Sequence, residues 1–433
     1  MEKILKKSIS REIKNTLAFR FIYYLIVGLS APATAIFLNE VERGFYFTFV
    51  SIVGVYSILD LGLGQTLLII FSREQSKLIN SNSVRNILYA TRAYYKYLSM
   101  IFILASIIIG NYFFSNFGED SVNWRGPWIL TSLSTGILLL NSAKLVFLEA
   151  SGKLAEVALM RTKQTIFANI ILLLLLFLNF NLWSFAIYQL ILALFSSYFI
   201  YFDKASIVYR RGRNLKQKPN FKQTYKLWKK DIFPLQWKIS INYVCGIIVF
   251  QLITPFTFSN MGPAKAGLIG LTINITNAII VLSNSFIAAS IPKISSFIEN
   301  DNEISAYKMF LSLTKKSIIF GTFLLAIGLF ISSNFFLKFP QIFLPPTAVS
   351  LIILSAICHI LIFNIATYFR TYKEEPLIAH SILSAFLHVI VYLNMNIFSL
   401  EILFLLIFGI NFLITILTFK TFNLFKKNRI KLF

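Results

Sequence analysis

The sequence predicts an all-α integral membrane protein with twelve transmembrane helices arranged as two six-helix bundles. Three observations carry this prediction: the composition, the length and number of the apolar segments, and the distribution of basic residues between them. Of the 433 residues, 57% are hydrophobic and 14% are charged, whereas a soluble domain carries about 25% charged residues. The composition therefore excludes an ordinary soluble enzyme and a disordered chain.

The apolar segments are each close to the ~20 residues that cross a bilayer as a helix. In chain order they are 17–38, 44–71, 97–115, 124–148, 164–182, 184–202, 235–258, 266–291, 311–332, 347–369, 377–397 and 400–420. Only helices and closed barrels satisfy every backbone polar group in lipid. Because the segments lack the alternation of barrel strands, each is predicted to be a transmembrane helix.

Basic residues are concentrated in alternate connections. Of the 41 Lys and Arg residues, only Arg43, Arg125, Lys265 and Lys338 lie in one set of connections, and Arg20 lies within the first segment. The remaining 36 lie in the other set, which includes both ends of the chain. Connections rich in Lys and Arg stay on the cytoplasmic side, so both termini are predicted to be cytoplasmic.

A long basic stretch follows the sixth segment and divides the chain. The predicted parts are an N-terminal half at 1–202, a basic cytoplasmic linker at 203–234 and a C-terminal half at 235–433. Arg20 precedes Gly44 by the same 24 residues that separate Lys238 from Gly262. Halves with an even number of helices repeat about a pseudo-two-fold axis along the membrane normal. We therefore expect two bundles around a central cavity, as in alternating-access transporters.

Four charged residues are predicted to lie within the membrane. Arg20, Lys144 and Lys238 lie near the cytoplasmic ends of their segments, and Asp60 lies near mid-membrane. The basic side chains either extend to the headgroups or form a cationic vestibule that binds an anionic group such as a diphosphate. Asp60 either pairs with Arg20 or Lys144, or binds a proton or cation.

The eighth segment also contains polar residues. Asn277 and Asn284 are seven residues apart and share a helix face. They are predicted either to hold helices together or to form a wet, sugar-contacting face of the substrate site. His359 and His388 lie near mid-segment and are interpreted as buried hydrogen-bonding residues rather than a proton relay.

Several functions are excluded by missing motifs. The sequence has no phosphate-binding loop, no metal-ligand cluster and no catalytic triad spacing. No catalytic residue, metal or cofactor is therefore predicted, and coupling to a proton or sodium ion stays open. The basic linker contains Tyr209 and Trp228, and Trp237 follows it closely. Aromatic residues among basic ones beside a membrane helix favour anionic membrane lipids over nucleic acid as the partner of this stretch.

Several segments resemble the polysaccharide and O-antigen flippases of the multidrug/oligosaccharidyl-lipid/polysaccharide export (MOP) superfamily. They are GFYFTFVSIVGVYSILDLGLGQ at 44–65, FLEASGKLAEVALMRTKQ at 147–164, FPLQWKISINYVCGIIVFQLITPFTF at 233–258, MGPAKAGLIGLTINITNAI at 261–279 and SFIAASIPKISSFI at 285–298. The quoted segments appear in the family's order, and the resemblance as a whole extends over about half of the chain.

The resemblance implies a MATE-like, V-shaped fold with a cationic central cavity. It also implies a polyprenyl-diphosphate-linked oligosaccharide substrate, moved from the inner to the outer leaflet of the bacterial plasma membrane for O-antigen, lipopolysaccharide or capsule synthesis. The polysaccharide polymerase machinery would be a partner. In such proteins, basic residues of the first and seventh helices face the cavity, which implies this role for Arg20 and Lys238. Lys238 stands where arginine is expected, and lysine lacks the bidentate fork.

Two other functions remain as alternatives. A drug or cation antiporter of the same superfamily would favour acidic residues in the cavity, whereas basic residues dominate here. A membrane-embedded polymerase or glycosyltransferase of the same pathway would need a sizeable outer loop with catalytic groups, and the predicted outer loops are short.

Overall fold

The computed structural model describes residues 30–55, 82–117, 122–206, 233–288, 290–372 and 374–429, together with Ile22, Ile26, Tyr225 and Lys229. The helices are α1 Glu40–Gly54, α2 Asn82–Phe117, α3 Arg125–Leu148, α4 Leu154–Phe177, α5 Leu182–Phe202, α6 Phe233–Phe250, α7 Ile253–Met261, α8 Pro263–Ala288, α9 Ile291–Glu299, α10 Glu303–Phe336, α11 Pro346–Thr371, α12 Ile378–Leu393 and α13 Leu400–Arg429. A π-helical turn, Glu149–Lys153, joins α3 to α4. These ranges contain no strand.

The predicted fold class is confirmed. Within the described ranges, nine helical stretches are long and apolar enough to cross a membrane, and the shorter α12 is apolar as well. Every predicted segment from 97–115 onward coincides with one of these helices. Parts of the first two segments, 17–38 and 44–71, lie outside the described residues.

Several helices extend beyond the predicted apolar segments. Helix α4 begins at Leu154, ten residues before the predicted start, because its polar first turns are stabilised by ion pairs. Lys153 pairs with Glu156 at 2.9 Å, and Arg161 pairs with Glu149 at 3.0 Å. A helix can continue past the apolar core in this way because water and paired charges satisfy its polar side chains.

The chain forms two compact units. The first contains Met1–Ile26 and Phe49–Val244, and the second contains Val27–Thr48 and Cys245–Phe433. The second unit thus includes the beginning of α1 and the end of α6 in addition to helices α7 to α13. The predicted linker at 203–234 stays a prediction, because most of it lies outside the described residues.

Aromatic residues of α1, α2, α3 and α5 form the core of the first unit. The Phe49 ring lies 4.8 Å from Trp128 and 5.1 Å from Phe114, and Phe185 completes the cluster. The indole Nε1 of Trp128 donates a hydrogen bond of 2.9 Å to the carbonyl of Ser106. This bond satisfies the one polar atom of a fully buried side chain.

In the second unit, the start of α1 packs directly against α8. A Cβ added at Gly44 would lie only 2.1 Å from the carbonyl oxygen of Pro263, so the two backbones approach as glycine alone permits. The preceding Gly262 has a φ of 87°, a left-handed conformation that glycine adopts without strain. Arg43, 1% exposed, donates to the carbonyls of Ala35 and Gln341 and fixes the adjacent turn.

Candidate functional site

A buried lysine on α3 is the main polar feature of the first unit. Lys144 is 5% exposed and lies one turn before the end of α3. Its Nζ donates to Asn141 Oδ1 at 3.1 Å and to the Tyr201 hydroxyl at 2.9 Å. The same Nζ lies 5.0 Å from the centre of the Tyr201 ring, within the range of a cation–π interaction. Lys144 is thus held between α3 and α5.

The partners of Lys144 are themselves fixed by hydrogen bonds. Asn141 lies three residues before Lys144 on the same helix face, and its amide donates to Ser196 Oγ at 3.1 Å and Ser197 Oγ at 2.8 Å. The hydroxyls of both serines donate hydrogen bonds to the carbonyl of Ala193. This network orients the Asn141 carbonyl oxygen toward Lys144.

The charge of Lys144 is not balanced by an acid within the described ranges. The ion pairs there involve Lys153, Arg161, Arg370 and Arg429 but not Lys144. An ammonium group has three N–H donors, and the described partners accept two of them. A buried cation with neutral partners and a remaining donor can bind an anionic oxygen, because such a charge-assisted hydrogen bond is stronger than a neutral one.

The described acidic residues lie at helix ends or in connections. Glu40, Glu42, Glu156, Glu303 and Glu401 are in the first turns of their helices. Glu149, Asp203, Asp301, Glu374 and Glu375 lie between the long helices, and Glu299 ends α9. The middle of the described membrane helices therefore carries no carboxylate that could attract an organic cation.

A cavity of about 40 Å³ lies within the second unit. Six helices, α6, α7, α8, α11, α12 and α13, contribute to its walls. Most of the lining is apolar. The polar lining residues are Thr276, Asn277, Ser355, His359, His388, Tyr392 and Asn411. No group of three or more metal-ligating side chains occurs among the described residues.

The site residues predicted from the sequence do not all lie together in the part of the chain that the structure describes. Arg20 and Asp60 lie outside these residues, so their contacts with Lys144 stay a prediction. Lys238 is exposed on α6. Asn277 lines the cavity of the second unit, and the side-chain oxygen of Asn284 is buried without a hydrogen-bond partner. Contact of either asparagine with a sugar also stays a prediction.

Sequence reasoning missed the residues that surround Lys144 and some of those that line the cavity, whereas Asn277, His359 and His388, which also line it, had been singled out. The spacing of Asn141 and Lys144 was an available signal, because residues three apart meet on one helix face. Tyr201 gave no such signal, since it comes from α5, 57 residues along the chain. Ser355 and Asn411 are single polar residues in apolar helices, and only the packing of the helices places them on one cavity.

Comparison with known proteins identifies the fold. The sequence matches no protein-family model and no curated protein. Among solved structures, it is similar to a MOP superfamily transporter from Pyrococcus furiosus, for which a reversed polarity of the binding pocket suggests a different function. The identity is 13%, the match covers 97% of this chain and 96% of that one, and the TM-score is 0.67.

Two further structures match over nearly their whole length. An inward-facing multidrug resistance MATE family transporter of the MOP superfamily is 14% identical, with 95% and 94% of the two chains covered and a TM-score of 0.65. A MATE structure in complex with MaL6 is 13% identical, with 97% of both chains covered and a TM-score of 0.64. This multi-pass membrane chain therefore has the fold of the MATE transporters of the MOP superfamily.

Proposed function

We propose that this protein is a transporter that moves a polyprenyl-diphosphate-linked oligosaccharide from the cytoplasmic to the outer leaflet of a bacterial plasma membrane, with both termini in the cytoplasm. The fold supports a membrane transporter, since its structural neighbours are transporters. The burial of Lys144, with no acidic partner among the described residues, supports an anionic substrate. The sequence resemblance to polysaccharide flippases supports the lipid-linked sugar.

The Lys144 site is the observation that carries the choice of substrate. A lysine that merely reaches the headgroups would extend its amine into water, whereas this amine is bound inside the protein to Asn141 and Tyr201. Burial of a cation without a counter-charge is unfavourable. A diphosphate group would supply that counter-charge, with Arg20 and Lys238 as further proposed ligands.

A cation antiporter is the second candidate, and the fold supports it equally well. MATE transporters are among the structural neighbours, and one is a multidrug resistance transporter. The described helices, however, place their carboxylates at the ends. An antiporter function would therefore depend on Asp60, which lies outside the described residues.

The test is transport by purified protein in liposomes. One preparation contains a fluorescent polyprenyl-diphosphate oligosaccharide and the other an organic cation under a proton or sodium gradient. We expect translocation of the diphosphate lipid and none of the cation. Cation transport without lipid translocation would favour the antiporter and contradict the proposal.

A pair of lysine variants tests the site itself. Lys144→Gln removes the buried charge but keeps a polar side chain of similar length. Lys153→Gln is the matched control, because Lys153 is half-exposed and already paired with Glu156. Loss of one buried charge-assisted contact should cost about 1.5–3 kcal/mol, or roughly 10- to 150-fold in affinity for the lipid. Equal affinity of the two variants would exclude Lys144 from the substrate site.

A further inference from the structure

The cavity of the second unit contains buried polar atoms that lack hydrogen-bond partners. They are His388 Nε2, Ser355 Oγ and both side-chain polar atoms of Asn411. His388 is 0% exposed, Asn411 1% and Ser355 6%, and all three residues line the same cavity. Buried polar groups in native proteins are nearly always paired with protein or with ordered water.

The hydrogen bond on the other side of the His388 ring fixes which nitrogen carries the hydrogen. Nδ1 lies 2.8 Å from the backbone carbonyl of Ser384. A carbonyl only accepts, so Nδ1 is the donor and the neutral ring presents Nε2 to the cavity as an acceptor. An occupant must therefore donate a hydrogen to Nε2.

The other polar groups of the cavity require an occupant that also accepts hydrogen bonds. The Asn411 amide offers two donors and one acceptor, and the Ser355 hydroxyl offers one donor. A molecule that both donates and accepts is needed to satisfy this mixture. Water has this property and forms about three hydrogen bonds when buried in a protein.

The volume of the cavity is sufficient for ordered water. A buried water requires about 10–15 Å³ of space for its centre. The 40 Å³ present here therefore accommodates two or three molecules. A monovalent cation is disfavoured, because no carboxylate is among the described lining residues to balance its charge.

We propose that this cavity holds a cluster of two or three ordered water molecules that bridges His388 on α12, Ser355 on α11 and Asn411 on α13. The cluster lies beside the interruption between α6 and α7. Pro255, the third residue of α7, has no N–H and disfavours a helical carbonyl at Gln251. The Tyr392 hydroxyl, which also lines the cavity, donates to the Val249 carbonyl at 2.8 Å. Water therefore joins three helices where the helix carrying Val249 is interrupted.

Radiolytic hydroxyl labelling tests this proposal, because radicals form from water and modify side chains beside a bound water even where bulk solvent is excluded. Tyr392 and Tyr368 are matched probes of the same residue type, at 1% and 0% exposure. Tyr392 lines the cavity, whereas Tyr368 stacks on Phe310 at 4.3 Å in a separate apolar cluster. We expect Tyr392 to be oxidised several-fold faster than Tyr368.

Two variants connect the labelling to the polar groups. Asn411→Leu combined with Ser355→Ala should reduce oxidation of Tyr392 to the rate of Tyr368, and Ser355→Ala alone should reduce it in part. Thr415→Val is the control, because its hydroxyl binds the carbonyl of Asn411 within the same helix. Equal oxidation of both tyrosines in the unmodified protein would show that the cavity is dry. Protection of Tyr392 by added sodium would show that a cation occupies it. Either result would overturn the proposal, which does not depend on the transported substrate.

Discussion

The contact between α1 and α8 can be tested by adding one methyl group. In Gly44→Ala, the new Cβ would lie 2.1 Å from the Pro263 carbonyl oxygen, whereas ordinary contacts begin near 3.4 Å. The two backbones must therefore separate by about 1.3 Å, the difference between these values. Overpacking of this kind typically costs about 1–3 kcal/mol. For a unit of this size, about 2–4 °C in Tm corresponds to each kcal/mol, so the expected decrease is several degrees.

Two other glycines provide a graded comparison. At Gly267, an added Cβ would lie 3.1 Å from the Gly44 nitrogen and would require only a small shift. At Gly328, on α10, no atom lies within 4 Å, and alanine favours a helix over glycine by about 1 kcal/mol. Thermal unfolding of each purified variant in detergent should therefore rank Gly44→Ala lowest, Gly267→Ala next, and Gly328→Ala at or above the unmodified protein. An unchanged Tm for Gly44→Ala would refute the close approach of the two helices.

Three further predictions concern topology, the core and the mid-membrane acid. In a background without the two native cysteines, Asn123→Cys should react with an impermeant reagent from outside and Lys308→Cys should not; the reverse pattern would invalidate the topology. Trp128→Phe should lower stability by about 1 kcal/mol in thermal unfolding, because the hydrogen bond from the buried indole N–H to the Ser106 carbonyl is lost. Asp60→Asn should insert normally but transport poorly in the liposome assay, since an acid within the membrane is costly unless it is used.

The positions of the helices were predictable from the sequence, but which face of each helix is buried was not. Segment length alone places ten of the twelve predicted helices on helices of the described residues, because lipid requires about 20 apolar residues. On α2, however, Ile108 is 67% exposed and Phe102 is 7% exposed. In a membrane, a lipid-facing side chain is as apolar as a buried one. Hydrophobic periodicity therefore does not distinguish the inside of a bundle from its outside.

The candidate site was only partly predictable from the sequence. A charged residue in an apolar segment is conspicuous, so Lys144 could be found from sequence, and the structure shows that it is buried. Its partner Tyr201 was not predictable, because tyrosine is common near helix ends and the contact depends on how α5 packs against α3. Ser355 and Asn411 were missed because single polar residues within apolar segments usually bind their own helix.

The Lys144 cluster of the first unit and the cavity of the second unit differ in charge, and this difference bears on substrate selection. The buried polar cluster of the first unit contains the cation Lys144, whereas the cavity of the second unit is lined by neutral groups among the described residues. A neutral site with both donors and acceptors has no net preference for an anion or a cation, while a buried ammonium strongly prefers an anion. If the proposed diphosphate substrate is correct, removing charge in the first unit should weaken lipid binding, and removing the polar groups of the second cavity should not. Lys144→Gln and the Ser355→Ala, Asn411→Leu double variant, compared for lipid affinity in the same liposome assay, separate these contributions. An equal loss of affinity in both variants would contradict this assignment of charge selection to Lys144.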